Sequence, residues 1–388
     1  MTAFNNDLAP TRRTSAKALR LQGGHLFHPA VDILCLGGGS LIVFSLVALA
    51  LWTGTQLTTA VIIMLALTHV VNDPHFAHSY QIFYQNFFSK AFGRDYDRVL
   101  RARYVLAGVV VPIALILFFV VSLVRSDAVM LGYGANIMLL LVGWHYVKQG
   151  YGMLMVDSVL KRQFFTDREK KYLLANAYSC WIFYWLLANW LISARNFWGL
   201  EYYMFQFPDW VVFAAFCVAA TTTYLMLYNL VILLKEGRRP PLIGTVAYLT
   251  TVYIWLFLLL SPLFVFFVPA FHSLQYLTVV WRYQINKDRA RGEIDDALKS
   301  ERGRGRWLTG GTSRFCRFVV LGLALGYLGF WGAPKLLDSL VPYDQEVFGG
   351  TLFFFLFWIF INVHHYFLDN VMWRRQNPDT RKYLFAHN

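Results

Sequence analysis

Ten histidines punctuate the chain, and seven of them fall within or at the end of long apolar runs. His69, His75 and His78 lie in "LTHVVNDPHFAHSY", residues 67–80; His145 lies in "GWHYVKQG", His272 in "FHSLQYL", and His364 and His365 in "VHHYFLD". His25, His28 and His387 stand outside such runs. Ionisable side chains inside a membrane segment are costly, and they usually face a protein interior or a cavity. Imidazoles gathered from several helices make a nitrogen donor set that suits zinc, copper, iron and nickel.

The local spacing has chemical content. His75 and His78 are i, i+3, so they share a helix face and could bind one ion. Pro74 lacks the N–H that would bond the carbonyl of Val70, which predicts a kink turning His69 and His75 toward one centre. Asp73 follows His69 by four residues, and Asp369 follows His365 by four. A carboxylate one turn away either ligates or orients the second nitrogen of the ring. Lys148 and Gln149 follow His145, and Gln275 and Tyr276 follow His272, adding polar groups to the same faces. The candidate metal ligands are therefore His69, His75, His78, His145, His272, His364 and His365. Asp73, Asp369, Lys148, Gln275 and Tyr276 are the candidate catalytic groups. Simpler roles stand beside these. A lone intramembrane histidine is often only an interhelical hydrogen-bonding residue. His364 and His365 are about 100° apart on a helix, so one of them faces the centre. Asp369 could pair with Arg374 and Arg375, and Lys148 could snorkel to the surface.

The elements that must carry these residues are membrane helices. The chain of 388 residues is 57% hydrophobic and 15% charged, whereas a soluble domain is nearer a quarter charged. About 20 apolar residues span the hydrocarbon core. Ten segments qualify or nearly so: 31–53, 57–84, 103–124, 129–156, 174–193, 210–234, 242–260, 263–285, 314–333 and 350–373. The expected fold is all-α, a polytopic bundle of about ten transmembrane helices over 31–373. It is flanked by cytoplasmic segments 1–30 and 374–388, with a cytoplasmic loop near 286–313. The basic N-terminus has no apolar leader, so no cleaved signal peptide is read.

Loop charges give the orientation. Basic residues crowd the N-terminus (Arg12, Arg13, Lys17, Arg20) and the second loop (Lys90, Arg94, Arg98, Arg101). They recur in the fourth (Lys161, Arg162, Arg168, Lys170, Lys171), the sixth (Lys235, Arg238, Arg239), the eighth (Arg282 through Arg306) and the C-terminus (Arg374, Arg375, Arg381, Lys382). The intervening loops hold at most one each: Arg125, Arg195 or Lys335. This alternation puts both termini in the cytoplasm. It also accounts for the net charge of +13 without a nucleic-acid partner. All seven intramembrane histidines then fall on even-numbered, parallel helices. His69, His145, His272 and His364 lie about 9 to 16 residues from the outer end, roughly 14 to 24 Å down. The setting is an integral membrane protein of a bacterial inner (cytoplasmic) membrane.

The four cysteines, Cys35, Cys180, Cys217 and Cys316, are scattered without a CxxC, so neither a disulfide framework nor a thiolate site is read. Histidines with nearby carboxylates in a lipid-facing bundle favour non-haem iron handling O₂. Copper and zinc remain compatible, as does haem held by two axial histidines. No GxGxxG fingerprint is present, so a reductant would come from a separate electron-donor protein or from the substrate.

The patches "NDPHFAHS", "GWHYVKQG", "FHSLQYL" and "VHHYFLD" resemble, in order and character, those of the Brp/Blh family of membrane β-carotene 15,15′-dioxygenases. The resemblance covers four patches of seven or eight residues. It implies a non-haem iron held by histidines from several helices, cleaving a carotenoid with O₂. The positions it carries over are His75, His145, His272 and His364 or His365. The HxxxH and HxxHH boxes of membrane desaturases are absent. The leading expectation is thus a membrane oxidoreductase, a metal-dependent oxygenase drawing an apolar carotenoid, isoprenoid or lipid from the bilayer. A proton-coupled transporter with a His/Asp relay and a haem-binding electron-transfer protein are the alternatives.

Overall fold

The computed structural model describes residues 24–385 apart from residues 56, 95, 192–193, 198 and 301–309. Arg12, Arg13, Lys17, Arg20, His387 and the middle of the 286–313 segment lie outside the described residues. Ten long helices follow in chain order: α1 Pro29–Trp52, α2 Thr58–Tyr84, α3 Arg98–Val124, α4 Ala128–Lys161 and α5 Asp167–Leu191. Then come α6 Asp209–Lys235, α7 Leu242–Leu259, α8 Val268–Ser300, α9 Ser313–Leu340 and α10 Leu352–Met372. A short α11, Pro378–Leu384, closes the chain.

Among the described residues, nine helices are long and apolar enough to cross a membrane. The tenth expected, α5, forms a helix of 25 residues. It falls short on apolarity because Asn176, Ser179 and Asn189, with several Trp and Tyr, dilute the stretch after its charged first turns. One element was not foreseen. Between α5 and α6 an antiparallel hairpin pairs β1, Ala194–Phe197, with β2, Leu200–Tyr203. Its turn carries Gly199 at φ +79°, a conformation that suits glycine.

Side-chain caps start several helices, since the first N–H groups have no partner within the helix. Asp97 Oδ1 accepts from Leu100 N at 2.9 Å in α3, and Asp127 Oδ1 accepts from Met130 N at 2.8 Å in α4. The apolar runs have no charged face, because their outer sides meet lipid rather than water. Ile113, Ile116 and Leu117 of α3 and Phe213 and Phe216 of α6 are exposed there.

The central helices are α8 and α10. Two-thirds (67%) of each apolar window is buried, against 17% for α3 and 11% for α9. Ile82 and Phe83 of α2, Tyr104 of α3, Tyr276 and Val280 of α8 and Leu368 and Met372 of α10 pack in one core. A second core joins Leu131, Ala135 and Met138 of α4 to Phe355, Leu356 and Ile359 of α10. Lipid tails are as apolar as these side chains, so close packing and polar contacts hold the helices together. One polar contact is Asp157 Oδ2, which takes Gly244 N at 2.7 Å across α4 and α7. Another is the fork of Arg238 onto Glu169, at 2.5 and 3.0 Å.

Three helices contain a π-turn, and each widened turn serves a polar residue. In α1, Leu34–Gly38 offers the carbonyl of Leu36 to Gln275 Nε2 at 2.5 Å. In α3, Leu106–Val110 offers Ala107 O to His364 Nε2 at 3.0 Å and Gly108 O to the Tyr84 hydroxyl at 2.9 Å. In α9, Leu328–Gly332 carries Trp331, whose Nε1 donates to Asp73 Oδ2 at 3.1 Å. Such bulges often sit at functional sites.

Two expectations need correction. The polar stretch after residue 285, expected as a loop with at most a short surface helix, begins instead as a continuation of α8, which runs on to Ser300. Gln284 bonds Asp288 one turn away at 3.0 Å and supports that extension. Pro74 lies inside α2, which is helical from Thr58 to Tyr84. His69 and His75 do not converge: His75 is buried, while His69 is half exposed and bonded to Asp73. Helix α9 packs so closely here that a Cβ at Gly326 would sit 2.7 Å from the Asp73 carbonyl.

Candidate metal centre

Four helices bring one donor residue each to the middle of the bundle: His75 from α2, His145 from α4, His272 from α8 and His365 from α10. Asp369 adds a carboxylate one turn below His365. All five residues are buried. One donor atom from each of His75, His145, His365 and Asp369 lies within 4.8 Å of every other. His365 Nε2 is 3.5 Å and His145 Nε2 3.9 Å from Asp369 Oδ2. Metal–nitrogen bonds of about 2.1 Å would put tetrahedral donors about 3.4 Å apart. The four atoms thus stand slightly outside coordination spacing.

The donor atoms pass a second test. His75 Nε2, His145 Nε2 and both ring nitrogens of His365 and His272 are buried without a hydrogen-bond partner. Leaving such atoms unsatisfied costs about 1–3 kcal/mol each. A single ion could satisfy several of them at once. These residues fit a metal with a nitrogen-rich, mixed N/O donor set.

Supporting contacts orient the donors. Ser273 Oγ donates to Asn72 Oδ1 at 2.8 Å and so accepts from His75 Nδ1 at 3.0 Å. That leaves the Nε2 lone pair of His75 free for the ion. Tyr276 donates to Asp369 Oδ1 at 2.8 Å, and its hydroxyl also meets Ser79 Oγ at 2.5 Å and Trp373 Nε1 at 3.3 Å. One carboxylate oxygen is thereby engaged and the other turned to the cluster. Aromatic rings close the walls. Phe76 packs on His365 with centroids 4.7 Å apart, and Tyr366 stacks on His145 at 4.7 Å.

His272 borders the cluster rather than completing the tight group. Its ring centroid is 5.0 Å from that of His145 and 5.3 Å from that of His75, and it stacks on Tyr146 at 3.6 Å. A small cavity of about 20 Å³ adjoins it, lined by Ser40, Tyr146, Thr251, Phe271 and Gln275 among others. That is room for about one water.

Three of the candidate metal ligands, and three of the candidate catalytic groups, lie elsewhere. His69 is half exposed, bonds Asp73 at 3.2 Å and meets Trp331 edge-on at 4.9 Å. Asp73 is thus engaged by His69 and Trp331 and does not join the cluster. His78 stacks on Phe318 at 4.2 Å and bonds Gln81 at 2.8 Å. His364 is held by Tyr80, Tyr84 and the Ala107 carbonyl at 3.0, 3.3 and 3.0 Å. Of the adjacent pair it is His365 that faces the centre. Lys148 bonds Asn370 Oδ1 at 3.0 Å. Gln275 tethers α8 to α1 and α7 through Leu36 and Thr251. Tyr276 is the candidate that touches a cluster residue directly.

Sequence reasoning passed over Ser273, Ser79, Tyr366 and Tyr146. Each has a signal in hindsight. Ser273, Tyr146 and Tyr366 directly follow His272, His145 and His365, and Ser79 comes one turn after His75. Comparison of the chain with protein-family models, with curated proteins and with solved structures gives no match.

Proposed function

We propose that the chain is a membrane-embedded, non-haem iron oxidoreductase, an oxygenase acting on an apolar carotenoid, isoprenoid or lipid from the bilayer. His75, His145, His365 and Asp369 would hold the ion, with His272 at its edge. The observation that carries this reading is the convergence of unpartnered imidazole nitrogens and one carboxylate oxygen from separate helices, deep in an apolar bundle. It agrees with the positions at which the four patches resemble the Brp/Blh family. The imidazoles touch one another ring to ring, which favours a single ion over a porphyrin needing a planar slot between its axial ligands.

Iron, when bound, supplies the capacity to activate O₂. The protein's own groups do the rest. Ser273 and Tyr276 fix the ring and carboxylate that point at the ion. Phe76, Tyr146 and Tyr366 keep water away, which limits side reactions of reactive oxygen. The adjoining cavity admits a molecule the size of water or O₂, so an apolar substrate would approach by parting helices from the lipid side. Electrons beyond those of the substrate would come from a separate donor protein. The topology that suits this reading has ten spans, α5 included, and both termini in the cytoplasm. At 25 residues α5 is about 37 Å long, enough to cross.

Metal analysis of the purified protein tests the reading. About one iron per chain with no Soret band is expected, and His75→Ala should remove most of it. A Soret band or a metal-free protein overturns it. The hydrogen-bonded run Asp369–Tyr276–Ser79 favours one alternative, a proton relay in a transporter. A metal-free protein that moves protons would establish it.

A further inference from the structure

The cytoplasm-facing ends of three helices place a cluster of cations one turn beyond the metal centre. Lys148 follows His145 by three residues on α4, and Asn370 follows Asp369 on α10. Lys148 Nζ and Arg374 Nη2 converge on the same oxygen, Asn370 Oδ1, at 3.0 and 3.1 Å. Their charged groups are therefore no more than about 6 Å apart by addition of those two distances. Arg103 of α3 lies within electrostatic reach of both. All three side chains are partly buried. Lys148 also lies over the Trp144 ring at 5.2 Å, and Arg374 Nε is pinned to Asn370 O at 2.6 Å.

What the cluster lacks is negative charge. Among the described residues no carboxylate pairs with Arg103, Lys148 or Arg374, although other cations of the chain have such partners: Arg238 has Glu169, Lys161 has Asp157 and Lys90 has Asp379. The shared partner is a neutral amide, whose one oxygen neutralises neither cation. Three like charges held together by packing need a counter-ion, and free side chains would splay apart into water instead. Basic pockets between membrane helices at the headgroup level bind acidic headgroups for this reason. An arginine fork matches a phosphate or carboxylate through two parallel hydrogen bonds.

We infer that Lys148 and Arg374 form a binding site for a phosphate or carboxylate oxyanion, held beside Asn370, with Arg103 adding to the positive field. The ligand is either the headgroup of a membrane amphiphile or a free anion. The site does not depend on the identity of the metal.

Asn370→Asp is the sharpest probe. It puts a carboxylate where the two cations now meet an amide oxygen, so one positive charge is offset within the site while the side-chain shape is nearly unchanged. The delipidated full-length protein is incubated with phosphatidic acid or phosphatidylcholine, and retained lipid is read by native mass spectrometry. Inorganic phosphate is titrated separately by calorimetry. The wild type should retain phosphatidic acid about tenfold or more over phosphatidylcholine, as expected for losing or keeping one charge-assisted hydrogen bond. Asn370→Asp and the double variant Lys148→Gln/Arg374→Gln should lose that preference. Asn370→Asp should melt no lower than the wild type. Phosphate binding at millimolar concentration identifies a free-anion site, and lipid retention without it identifies a headgroup site. No preference in the wild type for phosphatidic acid and no phosphate binding would overturn the inference, as would equal retention by all variants. Iron content, measured on the same samples, reports the metal centre separately.

Discussion

A single hydroxyl decides which nitrogen His75 offers. Ser273 accepts a hydrogen bond from Nδ1–H because its own proton is committed to Asn72, and Nε2 is left with its lone pair toward the cluster. Ser273→Ala should lower metal affinity about 10- to 100-fold without unfolding the protein, read by chelator titration of the loaded variant. His69→Ala should leave metal content unchanged, since His69 is bound to Asp73 on the outer face. Equal losses in the two variants would contradict this geometry. The residue types of the site were legible in the sequence, but the choice among neighbours was not. His75 and His78 are 60° apart on a helix and His364 and His365 are 100° apart, close enough for either member to face the centre. The decision came from other helices: Phe318 of α9 took His78 by stacking, and the π-turn of α3 took His364 through the Ala107 carbonyl.

At the scale of the element, the apolar cores of the helices were readable because lipid demands about 20 apolar residues, while their polar extensions, such as the run of α8 to Ser300, were not. Neither were the faces. A helix greasy on every side has no periodic stripe to mark its buried side, so the central positions of α8 and α10 could not be inferred from hydropathy. The π-turns were equally silent, because only the carbonyls they release reveal their purpose. Close backbone approach is another such feature. Gly326 lets α9 lie directly on the Asp73–Pro74 peptide of α2, and backbone atoms there have no freedom to retreat. Gly326→Ala should cost about 1–3 kcal/mol through overpacking, measured as a lower unfolding temperature in detergent. An unchanged melting curve would mean that α9 is free to shift away.

For the whole molecule, nine helices are long and apolar enough to cross a membrane among the described residues, and the topology proposed above adds α5 and puts both termini in the cytoplasm. A reporter fused after Asn388 that is active only in the cytoplasm is expected, and activity only outside would remove α5 from the membrane. The charge pattern was legible because insertion itself reads it. The convergence of α2, α4, α8 and α10 was visible only as a coincidence of depth and direction. The last segment is also less free than a tail. Asn377 bonds the Tyr104 hydroxyl at 2.9 Å and Thr380 bonds the Met372 carbonyl at 2.5 Å, so α11 is folded back beneath the bundle.

The order in which the donors are synthesised has its own consequence. His75 leaves the ribosome early, His145 and His272 follow, and half of the tight donor group, His365 and Asp369, arrives only with the last long helix. A nascent chain halted before α10 holds two imidazoles of the four-atom group and no carboxylate. The four-atom group that we propose holds the metal is therefore complete only after α10 has been made. Removing α10 alone would take away half of the group, His365 and Asp369, at once.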